Sequence, residues 1–125
     1  MSFQCQNELS ARGASEEELG RIGLLLGDAE RTEAAAPGAA AFRFHTEDDT
    51  GEGLARAIAE RFDGIGVSVL YISRDGGFLG RLDIAGGRES SVEADIEETE
   101  EAELERGWKG RDLEWARLRA GELAT

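Results

Sequence analysis

The sequence predicts an α+β fold: a four-stranded, mainly antiparallel sheet with two helices on one face, followed by a helical extension. Three observations predict it. Period-two apolar stretches alternate with period-3.6 stretches. The stretch IGVSVLYISRDGGFLGRLDIA (65–85) reads as two strands around a tight turn. A carboxylate-rich segment and a Trp-bearing segment follow that pattern without continuing it.

The opening strand is SFQCQNELSAR, with Phe3, Cys5, Asn7, Leu9 and Ala11 on one side and Gly13 ending it. Ser15 followed by Glu18 is a capping box, and Leu19, Ile22 and Leu26 recur at helical spacing behind it, with Leu25 beside them. ERTEAAAPGAAA reads as a linker broken at Pro37-Gly38. AFRFH is a short strand, TEDDTGEG a polar acidic loop, and LARAIAERF a second amphipathic helix with Leu54, Ile58 and Phe62 in register.

The next strand carries Ile65, Val67, Val69 and Tyr71 on one face. RDGG makes a hairpin turn, since Asp-Gly and Gly-Gly tolerate positive φ. The returning strand points Phe78, Leu82 and Ile84 inward and Arg81 and Asp83 outward. Gly86-Gly87 closes the unit. The expected order is β-α-β-α-β-β over residues 2–86. The expected division is an α+β domain over 1–88 and an extension over 89–125: an acidic helix (about 90–106), then a basic helix (about 110–123).

Two stretches resemble a known family. One is MSFQCQNELSARG; the other is FRFHT together with LARAIAERFDGIGVSVLYISRDGGFLGRL. Both are similar to segments of the YubB-type ferredoxin-like domain family of plasmid and phage proteins. The resemblance covers most of residues 1–86 and implies a mobile-element origin. It carries no catalytic residue onto this chain. Gln4 stands where the family opening has Trp, and the acidic loop after Thr46 replaces a Trp and a Pro. The linear element order also departs from the standard ferredoxin-like one.

Charge narrows the function classes. The net charge is −13, with thirteen Arg and one Lys among the bases. Residues 89–105, ESSVEADIEETEEAELE, hold nine carboxylates and no base. Direct nucleic-acid binding is not expected, because phosphate binding needs clustered Lys and Arg. An anionic membrane is not expected for the same reason, and no apolar run approaches the length of a span. A basic protein surface is the expected partner. One cysteine, Cys5, cannot form an internal disulfide, which fits a reducing, cytoplasmic setting.

Read as one helix, the acidic segment places Val92, Ile96 and Thr99 on a thin stripe. Its like-charged i, i+4 pairs, 93/97, 97/101 and 101/105, each cost a few tenths of a kcal/mol, on the order of 0.3. Seventeen residues of helix span roughly 25 Å. Nine charges then fall about 2.8 Å apart, against about 1.7 Å per charge in duplex DNA and about 3.4 Å in a single strand. The expectation is an anti-CRISPR-like DNA mimic that engages the nucleic-acid channel of a host CRISPR-Cas or other DNA-binding complex. Glu93, Asp95, Glu97, Glu98, Glu100, Glu101, Glu103 and Glu105 would make the patch, extended by Glu47, Asp48 and Asp49. The plain alternative is a solvated helix or acidic tail with no specific partner.

Catalytic constellations are sparse. His45 and Cys5 are single residues of their kinds, so a nucleophile–base pair would have to use His45. No zinc set, phosphate-cradling Gly motif or other cofactor site is expected. Glu47, Asp48, Asp49 and Glu52 offer oxygen ligands for Mg²⁺ or Ca²⁺, which keeps a metal-dependent enzyme on loop 47–52 as one alternative. The other is a structural or assembly protein working as a homodimer or larger oligomer, through the sheet face or through Trp108 and Trp115. The conservative reading folds the Trp-bearing helix back on the domain, with its Arg residues neutralising the acidic helix.

Overall fold

The computed structural model describes residues 2–33 and 36–124. Residues 34 and 35 of the expected linker, Met1 and Thr125 lie outside the described residues. The elements are β1 (Gln4–Arg12), α1 (Glu16–Leu25), β2 (Glu30–Glu33), β3 (Ala40–Glu47), α2 (Glu52–Arg61), β4 (Gly66–Ser73), β5 (Phe78–Ala85), β6 (Arg88–Asp95), α3 (Glu98–Gly107) and α4 (Asp112–Leu123). The α+β class stands, but the sheet has six strands rather than four, in the order β2-β3-β1-β4-β5-β6. Every neighbouring pair is antiparallel.

Both extra strands fall where the sequence reads as something else. β2 occupies the start of the expected linker; its ERTE sequence carries no apolar face, and among the described residues it pairs only with residues 40–43 of β3. β6 occupies the first half of the expected acidic helix. Gly86-Gly87 does not close the unit. It is a two-residue hairpin turn with φ of 57° and 77°, and Ala85 pairs with Arg88 across it. Positive φ at both central positions gives the turn twist that suits antiparallel strands. Glycine is needed there because a Cβ disfavours that region.

Helices cover both faces of the sheet, not one. On the first face, Leu9, Phe42, Val67, Val69, Leu82 and Ile84 pack with Leu19 and Ile22 of α1 and Ala55 and Ile58 of α2. Ser15 accepts from Glu18 N and Glu18 accepts from Ser15 N, so α1 starts at the expected capping box. On the second face, Leu70, Ile72 and Leu79 pack with Leu104 of α3 and Leu113, Trp115, Ala116 and Ala120 of α4. Burying a side chain such as Leu104 yields roughly 1.5–3 kcal/mol. That exceeds the few tenths, about 0.3 kcal/mol, lost per like-charged helix pair, so α3 tolerates its acidity. Trp115 of α4 is buried in this second core, and Trp108 packs against it with the Arg111 guanidinium 4.6 Å from its ring. The helix folds back, as the conservative reading has it, and Trp115 is not available as an anchor for a partner.

Asn7 joins the two sides of the first layer. It is wholly buried. Its Oδ1 accepts from Gly51 N at the start of α2 (2.9 Å), and its Nδ2 donates to Thr46 Oγ1 (3.0 Å) and Phe44 O (3.4 Å). A buried amide with these bonds met is stabilising; with one partner removed it would cost about 1–3 kcal/mol.

Candidate functional site

The antiparallel order brings five chain segments to one end of the sheet: the start of β1, the end of β3, the β4–β5 turn, the end of β6 and the start of α3. Hydrogen bonds stitch them together. Phe3 N donates to Asp48 Oδ1 (3.0 Å) and Asp48 N to Phe3 O (2.8 Å). Gln4 N donates to Asp75 (3.1 Å to Oδ2), and Ile96 N donates to Gly77 O (2.8 Å). Glu47, Asp48, Asp49, Asp75, Asp95, Glu97 and Glu98 therefore share one rim, and all are exposed. Four strand spacings separate β3 from β6, so the rim is about 19 Å wide. Two acidic stretches distant in sequence meet there, with Asp75 between them. In the sequence Asp75 reads only as part of the RDGG turn.

The remaining expected carboxylates are placed differently. Arg74, in the same turn, reaches under the sheet to Glu101 (2.7 Å from Nε), Glu105 and Asp112 (3.3 Å). Arg119 of α4 binds Glu100 (2.7 Å). Arg56 of α2 binds Glu89 (3.2 Å), and Tyr71 Oη donates to Glu93 (3.3 Å). Glu103 faces solvent on α3. Asp95, Glu98 and Glu103 have no hydrogen-bond or ion-pair partner among the described residues. The array of nine charges on one rod does not exist: Glu89, Glu93 and Asp95 lie on a strand, and the other six on α3 and its cap. Of the supposed i, i+4 repulsions, 93/97 is not a helical pair, and Glu101 and Glu105 share Arg74. The compensating cation comes from the sheet as well as from α4.

A second ionic cluster ties α4 to the sheet. Glu8 on β1 accepts from Arg43 (2.8 Å) and Arg117, Arg43 also binds Glu114 (3.0 Å), and Gln6 donates to Asp112 (3.0 Å). Burial works against the Arg43 charge, but its bonds to Glu114 and Glu8 outweigh burial and raise its pKa. The bond to Glu101, against the burial that opposes it, likewise raises that of Arg74. The bond from Ser73, then that from the Gln4 backbone, holds Asp75 below the ordinary carboxylate range.

Cys5 and His45 do not form a pair. Cys5 lies opposite Thr46 and His45 opposite Gln6, so the pleat turns their side chains to opposite faces. Burial, helped by the nearby Asp75 charge, pushes the Cys5 thiol up to about 11. A buried, protonated thiol is a poor nucleophile. The loop carboxylates serve the chain itself: Asp48 receives Phe3 N, Asp49 receives Thr50 N (2.8 Å), and Glu52 accepts from Thr50 Oγ1 (2.9 Å). Among the described residues no three His, Cys, Asp or Glu side chains converge as metal ligands. At the opposite end of the sheet an open cleft of about 780 Å³ is lined by Arg12, Arg56, Glu60, Asp63 and several glycines. Arg12 is bonded to Ser68 (3.0 Å) and Arg56 to Glu89, so neither sign of charge dominates there. Among the described residues no helix is long and apolar enough to cross a membrane.

No family model, curated protein or solved structure matches the chain.

Proposed function

We propose that this protein acts by binding, presenting its acidic rim to a basic protein surface built for nucleic acid. The observation that carries the reading is the distribution of charge. Arg43, Arg74, Arg117 and Arg119 are engaged in ion pairs beneath the sheet, while seven carboxylates stand exposed along one end. Such a surface steers association with a positively charged groove and loses affinity as salt screens it. The target class is the nucleic-acid channel of a host defence complex, as for anti-CRISPR proteins that mimic DNA. A fixed polyanion can occupy such a channel without the work of bending a nucleic acid into it.

The test is capture of a purified CRISPR surveillance complex at low salt. A rim variant runs beside the wild type, with Glu47, Glu97 and Glu98 changed to Gln and Asp48, Asp49 and Asp95 to Asn. Glu100, Glu101 and Glu105 stay unchanged, because they hold α3 to the sheet. Retention by the wild type alone, lost between about 50 and 200 mM salt, supports the proposal. Equal retention by both proteins removes the rim from the mechanism, and absence of retention removes this class of target. A second reading, assembly through an apolar contact, is favoured by Leu24, which is 82% exposed beside Leu25 at 43%. It predicts a dimer insensitive to salt and abolished by Leu24→Glu.

A further inference from the structure

We infer that the outer edge of β6 is a docking edge for an extended basic segment of a partner protein, which adds to the sheet as an antiparallel seventh strand. The inference rests on the proposed function, and it specifies how a basic partner is held.

The carrying observation is an open backbone. Among the described residues β6 is the last strand of the sheet and pairs only with β5. It is eight residues long, whereas β2 at the other edge has four. Ile96 N donates inward to Gly77 O. Backbone groups alternate in direction along an antiparallel strand, so those of Val92 and Ala94 also point inward. The N–H and C=O groups of Glu89, Ser91, Glu93 and Asp95 then point outward, and no backbone partner meets them among the described residues. An unpaired edge of this length is a template for another strand.

Side-chain chemistry selects the occupant. Glu89, Ser91, Glu93 and Asp95 share one face of β6, opposite Ile84, Leu82, Gly80 and Phe78. These are the same residues whose backbones face outward. A second copy of the chain is a poor fit. Two-fold pairing centred on Ser91 sets Glu89 against Glu93, and centring on Val92 sets Glu89 against Asp95. Like charges directly opposite are destabilising. Centring on Ser90 avoids this only by shortening the ladder to residues 88–92. A partner strand with Lys or Arg at its first, third and seventh positions meets Asp95, then Glu93, which also accepts from Tyr71 Oη, then Glu89, which it shares with Arg56, with its fifth residue opposite Ser91. The acidic face thus blocks self-pairing and favours a basic strand.

The experiment is fluorescence anisotropy at low salt with a labelled heptapeptide bearing Lys at positions one, three and seven between Thr, Val and Ser. The control has the same composition with its three Lys consecutive, so that no register sets all three on one face. The alternating peptide is expected to bind about tenfold tighter. N-methylation at its third and fifth residues, whose N–H groups would face β6, is expected to reduce it to the control. N-methylation at the second and fourth residues is expected to leave binding intact. In the protein, Ser91→Pro removes one outward donor without changing charge, and proline is tolerated at a sheet edge. It is expected to have the same effect as N-methylation, with the circular dichroism unchanged. If both peptides bind equally and N-methylation has no effect, strand addition is overturned while the acidic-surface reading stands. If neither peptide binds, but the surveillance complex is still captured through the rim, the edge alone is excluded. Failure of both assays removes both proposals.

Discussion

Arg74 is the residue on which the contacts of α3 and the start of α4 with the sheet converge. Its guanidinium serves three carboxylates on two helices, and its side chain is 25% exposed. In Arg74→Gln the Glu105 pair, 63% exposed on the acid side, contributes little, about 0.3 kcal/mol. Glu101 loses a charge-assisted bond in a partly buried place, worth about 1 kcal/mol. Asp112 is buried, at 8% exposure, and keeps only Gln6, which adds about another 1 kcal/mol. Renewed repulsion between Glu101 and Glu105 adds about 0.3 kcal/mol. The expected loss is about 2–3 kcal/mol, or roughly 8–12 °C in Tm for a chain of this size.

The assay is urea unfolding followed by tryptophan fluorescence and by far-ultraviolet circular dichroism. Both tryptophans lie in the α3–α4 layer, so fluorescence reports that layer, while dichroism reports the whole fold. Arg74→Gln should move the fluorescence midpoint down, ahead of the dichroism midpoint if the layer opens first. Adding Glu101→Gln and Glu105→Gln should restore part of the loss. A loss under about 0.5 kcal/mol, the range of ordinary surface substitutions, would refute the claim that Arg74 contributes substantially to holding α3 against the sheet.

Two further outcomes follow from packing and titration. Gly80→Ala should destabilise by about 1–3 kcal/mol, measured by the same unfolding curves, because a Cβ there would lie 2.2 Å from Tyr71 Oη and 2.8 Å from the Val92 carbonyl. An unchanged midpoint would mean that β5 and β6 are not packed as described. Cys5 should react with a thiol reagent at pH 8 only as fast as the protein unfolds. Its folded pKa is raised from 9.0 to about 11, so its contribution to stability is complete below pH 9 and is lost as pH rises towards 11, where the unfolded thiol ionises first. Rapid labelling of native protein would contradict the burial.

Much of the fold was legible because it was written in local signals. The Ser15–Glu18 capping box, the apolar register of α1 and the RDGG hairpin each depend on residues a few positions apart, and each appears where the pattern places it. Leu54, expected to be in register with Ile58 and Phe62, lies at the helix margin, 36% exposed, because Ala55 takes the inward position. The second helical layer was hinted at by β4 itself. After Ser68 its sequence VLYIS is apolar at consecutive positions, as in a strand buried on both faces. Leu70 and Ile72 alternate with Val69 and Tyr71 and pack on the other side.

β6 was hidden because its signal is not in its own residues. RESSVEAD has the acidity of a helix surface and one β-branched apolar residue. What makes it a strand is the Gly86-Gly87 turn, which returns the chain alongside β5, and the sheet edge waiting to be paired. β2 is likewise a strand by virtue of its neighbour. The amino-acid sequence by itself determined the class of the fold, its local starts and turns, its excess of negative charge and its single His and single Cys. Tertiary structure decided which charges are available. Arginines from β3, the β4–β5 turn and α4 meet some of the carboxylates under the sheet. Others gather at one rim, because antiparallel pairing brings the ends of distant strands together. Local sequence carries periodicity over a few residues; the availability of a charge depends on partners tens of residues away.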